Sequence, residues 1–411
     1  MAGLFDAITI GSLNIHGRMV KSSMVETLCD HDGRVTDALI DHYVAMAKGG
    51  VPMIITGASS FSRMGRGVPH QISLATDDHI AGLKRLTSAV QAYGCKIFIQ
   101  IYHTGRQASP KPVGRDIAVA PSAVYEPTLG VKPKAMSKTD ILETISEYAI
   151  AAKRAKTAGF DGVQIHAAHG YLISEFLTPH TNRRKDEYGG SFENRLRFLK
   201  QIVQVMRQQV GQDYPLIMKI NGADDLPLRK GLSTSDLVQI AIEMEQEGID
   251  AVEVTAGHYE SMTTFERGHW KGYTKRMLTE GPGQHFHPIR KALMGVGAPI
   301  MDWCLNRMSS FTPAFNLPYA MQFKQALSIP VICVGGFSQY HEMDHALRER
   351  GCDMIGVARG LIANPNLYHD LKSAKNPQPC EYCNRCFTRA GVAPLQCDIY
   401  PVSAKASKNV A

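Results

Sequence analysis

Two imidazoles and a phenol crowd into the run His166-Ala-Ala-His169-Gly-Tyr171-Leu, directly after the apolar stretch Gly162-Val-Gln-Ile165. That stretch reads as a short buried strand, so the three side chains emerge together at one strand end. Such a cluster can grip an oxygen anion through ring N–H donors and deliver a proton from the phenol. Histidines three apart at a strand end also suit a hydrogen-bonded core or a metal pair. A second polar run follows, Asn182-Arg-Arg-Lys-Asp186-Glu187-Tyr-Gly-Gly190-Ser-Phe-Glu193-Asn194-Arg195, denser in charge than a connection between apolar segments requires.

The elements that must position this cluster can be read from hydrophobic periodicity. Eight short apolar runs recur: Met19–Met24, Met53–Thr56, Lys96–Ile101, Gly162–Ile165, Leu216–Ile220, Ala251–Val254, Val331–Val334 and Met354–Val357. Amphipathic segments such as Ile141–Ala158 and Glu193–Val210 lie between them, the second with Leu196, Phe198, Leu199, Ile202, Val203 and Met206 at helical spacing. Near-continuous apolar strands alternating with helices imply a parallel sheet covered by helices. Eight such units predict an α/β fold of the (β/α)8 TIM barrel type. No G-x-G-x-x-G follows the first strand, which counts against an open dinucleotide-binding sheet. The expected organisation is a barrel over residues 1–370, interrupted after strand six by an insertion of about 259–318, and a cysteine-rich tail over 371–411. The insertion holds both tryptophans, Trp270 and Trp303, and a helix is expected near Pro288–Met294. It is either a lid over the active end or an oligomer contact.

Barrel chemistry gathers at the carboxyl ends of the strands. Those ends carry Ser22, Ser23 and Met24; Gly57, Ala58 and Ser59; Gln100 and His103; His166, His169 and Tyr171; Lys219 and Asn221; Thr255; Gly335 and Gly336; and Ala358 and Arg359. Strands seven and eight thus end in a glycine pair and an arginine. A phosphate held by backbone N–H groups and one guanidinium is a recurring feature there, although the glycines also suit a simple tight turn.

The totals narrow the classes. The chain has 411 residues, 44% hydrophobic and 20% charged, an ordinary globular composition. No apolar run approaches the ~18 residues of a membrane span, and the N-terminus lacks the pattern of a signal peptide. Forty-five basic against 38 acidic residues give a mild +7, without a dense basic block, so nucleic acid is not expected as a partner. Of nine cysteines, Cys380, Cys383, Cys386 and Cys397 crowd into the tail. An intracellular, cytoplasmic setting is the simplest reading, and there four such thiolates suggest a soft metal rather than disulfides. A 4Fe-4S cluster and a structural zinc both suit the ligand set.

The His166–Leu172 run followed by Asn182–Ser191 closely resembles the signature of the old yellow enzyme family of FMN-dependent ene-reductases, over about Leu13 to Pro365. The cysteine spacing resembles the cluster-binding segment of trimethylamine dehydrogenase, and 2,4-dienoyl-CoA reductase carries a related one. The resemblance implies FMN across the barrel mouth. Ser22, Ser23 and Met24 would flank the ring, Ala58 would contact it, Gln100 would bond its pyrimidine edge, and Lys219 would stand near N1 and O2. Gly335, Gly336, Ala358 and Arg359 would hold the phosphate. His166 and His169 would bind a carbonyl oxygen while hydride from flavin N5 reaches the β carbon and Tyr171 protonates the α carbon. Where many relatives place Thr or Cys after the first strand, this chain has Val25, then Glu26 and Thr27. The implied substrate is a small unsaturated carbonyl or thioester. The donor is NAD(P)H or an electron-transfer protein, since the sequence ends at Ala411 without the nucleotide-binding module of those two relatives. An FMN and iron–sulfur amine dehydrogenase or demethylase, and a flavin-binding electron-transfer subunit with a zinc tail, are the competing readings.

Overall fold

Strand β1 (Met19–Lys21) pairs on one side with β2 (Met53–Ile55) and on the other with β8 (Met354–Val357), and this double pairing closes a ring. Between β2 and β8 the ring runs through β3 (Lys96–Tyr102), β4 (Gly162–Ala167), β5 (Leu216–Asn221), β6 (Ala251–Thr255) and β7 (Val331–Val334), every pairing parallel. The computed structural model describes residues 2–107, 113–114, 117–226, 229–261, 264–349 and 351–400. The architecture is the expected (β/α)8 barrel, with helices such as Lys138–Thr157 and Phe192–Val210 wrapped outside.

Local chemistry explains the helix starts. Ser137 and Ser233 each accept a hydrogen bond from the backbone of an Asp three residues on, and that Asp caps the serine in return. In the Phe192–Val210 helix, Leu196, Phe198, Leu199, Ile202, Val203 and Met206 are all buried against the barrel. Their spacing makes one apolar stripe, and burying it supplies most of the helix's stability.

The barrel interior is layered, because alternate residues of a strand share a face. The lowest layer is apolar: Phe98, Ile217, Ala251, Ile332 and Met354 pack with Val20, Met53 and Ile55, and the antiparallel hairpin Ile8–Ile10/Leu13–Ile15 closes that end with Ile10 and Ile15. Two residues further along the strands come Gln100, Gln164, Lys219 and Glu253, all buried. Two further again come Tyr102, His166, Asn221 and Thr255 at the rim.

The strand limits differ from expectation at the functional end. β1 stops at Lys21, so Ser22, Ser23 and Met24 lie beyond it, although the Ser22 amide still donates to the Val357 carbonyl at 3.0 Å. β4 runs through His166 to Ala167 because its ladder continues against β5, pairing His166 with Lys219. The insertion holds a helix far longer than expected, Pro288–Met308, with Pro299 inside it. An interior proline removes one helical bond; here the partner position, Gly295, is exposed, so its carbonyl meets water. The tail packs on the barrel rim as turns around the short helix Arg385–Thr388, and its last residues, 401–411, lie outside the described residues. Among the described residues no helix is long and apolar enough to cross a membrane.

Gly162 faces Phe98 across β3 and β4, and a Cβ there would overlap the ring. Gly162→Ala is expected to destabilise the protein by about 1–3 kcal/mol through overpacking. Adding Phe98→Leu should recover part of that loss, as read from denaturant midpoints.

Candidate active site

His166, His169 and Tyr171 converge at the rim. The two imidazoles meet edge to face at 5.1 Å between centroids, and Tyr171 stands edge-on to His166 at 4.9 Å. The loop that carries them is held open by unusual backbone. His169 adopts φ +61°, and Gly170 follows at φ +79°, where a side chain would strike His258. Such a conformation in a non-glycine residue needs support. The Asn221 side chain accepts from the His169 amide at 3.1 Å, and the Tyr259 amide donates to the His169 carbonyl at 2.9 Å.

The network fixes the tautomer of His166. The Ala168 amide donates to Nδ1 of His166 at 3.2 Å, so the ring proton sits on Nε2. His169 shares its Nε2 with the Thr255 hydroxyl at 3.0 Å, which leaves Nδ1 as its second polar atom. Both histidines are held well below the usual imidazole range, chiefly by burial; for His166 the neighbouring His169 and Lys219 add to this, and for His169 Lys219 and His258 do. Both are therefore neutral at neutral pH. Tyr171 is pushed well above the ordinary phenol range, first by burial and then by Tyr102, Tyr259 and Glu266, so it keeps its proton.

Beneath the rim runs a continuous polar chain. The Ser23 hydroxyl donates to Gln100 Oε1 at 2.8 Å, Gln100 Nε2 to Gln164 Oε1 at 2.6 Å, and Gln164 Nε2 to Glu253 Oε2 at 2.7 Å. Glu253 also accepts from the Ser22 hydroxyl and pairs with Lys219 Nζ at 3.2 Å, while Lys219 reaches Ser22 Oγ at 3.2 Å. Ser22, Ser23, Gln100 and Lys219 are thus brought together as the sequence led us to expect. Gln164 and Glu253 were missed. The signal lay in the period-two alternation, which places both on the inward face two residues below the rim. Each ammonium has three donors, and Lys219 spends two within this network, leaving one for a ligand.

Ala58 is buried and Met24 half-buried beside these groups. Gly335 and Gly336 have φ +134° and +82°, with side-chain space filled by Asn316, Phe315 and the backbone of Ala314, so only glycine fits. Ala358 precedes the short helix Arg359–Ala363. Arg359 lies at the end of β8, next to β7, but turns part of its guanidinium to the tail: Nη1 donates to Asn384 Oδ1, and the plane lies 4.7 Å from the Tyr382 ring centroid. The rest of its fork remains able to meet an anion.

Arg359 also lines a cavity of ≈ 20 Å³ walled by Cys380, Cys383, Cys386 and Cys397. Burial raises the Cys386 thiol to about 12, with Arg359 opposing, and raises Cys380 as well. Among the described residues no three His, Cys, Asp or Glu side chains gather tightly enough to grip a metal ion. The four thiols share one cavity without converging on a point.

The insertion closes over the cluster. Phe265 stacks on His169 at 4.8 Å, and Glu266 is buried with its Oε2 unpartnered and its carboxyl raised well above the usual range by burial, against the pull of Arg359. Neither was expected, since nothing in the insertion's pattern marks them. Next to the site, Glu26 is buried with Lys21 at 3.3 Å and also accepts from Tyr43 and from the Gly57 amide at 2.7 Å.

Sequence and structure comparisons identify the family and the fold. A match to the NADH:flavin oxidoreductase / NADH oxidase family covers residues 3–281, and a match to the dihydrouridine synthase family covers 306–394. The chain is similar to an NADH oxidase of Thermoanaerobacter brockii, 34% identical over 98% of this chain and 56% of the relative. It is similar to an NADPH dehydrogenase of Geobacillus thermodenitrificans, 41% identical over 88% of this chain and 91% of the relative. Among solved structures, a 2-naphthoyl-CoA reductase in complex with 2-naphthoyl-CoA superimposes with a TM-score of 0.80, at 27% identity, over 97% of this chain and 57% of the other. The chain therefore spans little more than half the length of that oxidase and of that reductase.

Glu253→Gln should cost the flavin-free protein about 3 kcal/mol, because it leaves the Lys219 ammonium buried without a counter-charge. Lys219→Met in the same chain should recover more than half of the loss. Additive costs in denaturant unfolding of the single and double variants would show that the two side chains are not coupled.

Proposed function

Because the chain belongs to the NADH:flavin oxidoreductase / NADH oxidase family, the family of old yellow enzyme, and is an FMN-dependent oxidoreductase, we propose that it reduces the activated C=C bond of an α,β-unsaturated carbonyl compound or thioester. The observation that carries this reading is the pairing of two neutral imidazoles with a protonated phenol in one cluster, His166 buried and the other two half-buried at the rim. The naphthoyl thioester in the complex of the similar reductase supports a thioester among the substrates.

The residues fit FMN. Lys219 keeps one donor for an anionic ring edge, Gln100 keeps one amide N–H, and Arg359 keeps part of its fork for a phosphate. Ser22, Ser23, Met24 and Ala58 would border the ring, with Gly335, Gly336, Ala358 and Arg359 around the phosphate. Bound FMN supplies the hydride; the remaining tasks fall to side chains. His166 and His169 bind the substrate's carbonyl oxygen as neutral donors, and the negative charge that gathers on that oxygen draws electron density from the double bond. Tyr171 holds its proton until the α carbon becomes basic, then transfers it there, so hydride and proton together saturate the bond. Phe265 covers His169 and keeps water from the oxygen.

We infer that Cys380, Cys383, Cys386 and Cys397 would hold a 4Fe-4S cluster, which would pass single electrons to the flavin from a protein donor. Support comes from the four cysteines lining one cavity and from their close spacing in sequence, thiolates being the usual ligands of such a cluster.

His166→Ala with His169→Ala should abolish reduction of a conjugated enone while photoreduction of the bound flavin persists. Tyr171→Phe should slow the oxidative half-reaction by about 10²–10⁴ and leave flavin reduction nearly unchanged. Parental enone reduction in the double variant would overturn the reading.

Protein made and purified without oxygen should contain about four irons per chain. Stoichiometric zinc without iron would make the tail a structural site instead.

A further inference from the structure

The Pro288–Met308 helix presents its apolar side to solvent. Ala298, Asp302 and Ser309 are buried, and this inner face is anchored: Asp302 accepts from the Gly272 and Thr274 amides at 2.7 and 2.9 Å, and Asn306 accepts from the Trp270 amide at 3.0 Å. On the opposite face Ile289, Leu293, Val296, Ile300 and Trp303 follow one another at alternating spacings of four and three, and each is between 63% and 85% exposed. A helix on a protein surface ordinarily turns such a stripe inward. Five large apolar side chains in one exposed row mark a surface that meets something apolar.

Charge decides what that is. Between Pro282 and Ser310 the cations Arg290, Lys291 and Arg307 have one acidic neighbour, Asp302, and it is buried and engaged. The adjoining residues 271–280 add Lys271, Lys275 and Arg276 against Glu280. A second copy is therefore a poor occupant. An antiparallel pair of these helices would set Arg290 against Arg307, and a parallel pair would set each cation against itself. Gly295, Gly297 and Pro299 would also weaken a helix–helix seam. An anionic lipid surface answers both features at once. Its acyl boundary receives the apolar stripe, its headgroups pair with the flanking cations, and a tryptophan is favoured at that depth.

We propose that the Pro288–Met308 helix is a peripheral docking element that lies in the headgroup region of an anionic lipid surface. Its outer stripe enters the acyl boundary, and Arg290, Lys291 and Arg307 meet the lipid phosphates and carboxylates. The barrel would then stand on the membrane by the insertion that also covers its active end. An apolar substrate could reach the site from the lipid phase.

The flavin-loaded full chain should be sedimented with phosphatidylcholine vesicles, with and without phosphatidylserine. Binding at least tenfold stronger to the phosphatidylserine vesicles is expected, given ~1 kcal/mol per cation near such a surface. Trp303 is the exposed tryptophan and Trp270 the buried one, so emission should shift to the blue on binding, and Trp303→Phe should remove the shift. Val296→Glu with Ile300→Glu should abolish binding while the flavin spectrum stays unchanged. Both residues point outward, so their loss of binding would not reflect unfolding. Equal binding to both vesicle types would overturn the proposal, as would no binding at all. A dimer in solution that the same double variant dissociates, without vesicle binding, would assign the face to a second copy instead.

Discussion

A carboxylate and an ammonium buried inside a barrel of apolar strands set the terms for the rest of this molecule. Glu253 and Lys219 are register partners on β6 and β5, 3.2 Å apart. Either one alone would be costly to bury, and the pair is tolerated only because its remaining valences are met. Ser22, Gln164 and, through Gln164, Gln100 and Ser23 meet them. Four strands and the loop after β1 are thereby tied to one charge pair. The same chain fixes the side chains that a flat ligand would touch, so a constraint of burial becomes a constraint of geometry. Above it, the rim residues of β3 to β6 inherit their positions from the strand period alone.

The loops at the active end are not independent covers. Asn384 of the tail bonds Arg359 with its oxygen and, at 2.9 Å, the Glu266 carbonyl with its nitrogen. The Tyr382 carbonyl accepts from the His269 amide at 2.8 Å, and the Leu395 amide donates to the Glu26 carbonyl at 2.8 Å. The cysteine segment therefore straps the end of β8, the insertion and the loop after β1 into one rim. Below the His166–Tyr171 loop, Arg106 is fully buried between Glu175 and Glu260, and His180 bonds Glu260 at 3.0 Å. Glu175 rises to about 8 by burial, while Glu260 falls to about 2, because His180 and Arg106 outweigh its own burial. One carboxyl of this group is thus neutral and the other charged, the charged one facing both Arg106 and, at 3.6 Å, Arg229.

The barrel was legible because its signal is repeated eight times and each repeat is nearly pure in hydrophobicity. The active end was legible because strand ends are where a barrel does chemistry: His166 and Tyr171 stand at the rim, with Gln100 and Lys219 one layer below. What failed to show was marked at most by strand alternation. Gln164 and Glu253 sit inside apolar runs, where a single polar residue reads as an interruption until its partners on other strands are known. Phe265 and Glu266 come from an insertion whose path depends on tertiary contacts with the tail. The long helix was cut short in expectation because Gly295, Gly297 and Pro299 weaken its pattern, and it persists because Asp302 and Asn306 anchor its second half.

Lys219 has one further effect, on the histidines rather than on a ligand ring. Its charge adds to burial in lowering both imidazoles, and it sits beside His166 across the β4–β5 ladder. A neutral imidazole offers an N–H donor without carrying a charge of its own. The same positive field that keeps the imidazoles neutral also favours an anion placed against them, because field acts on ligand and side chain alike. The Glu253 carboxylate tempers that field, so the cation can be buried at all; the two share one layer of the barrel, below His166. The buried charge pair thus lies one layer below two neutral imidazoles, and Tyr171 beside them keeps its proton chiefly through its own burial.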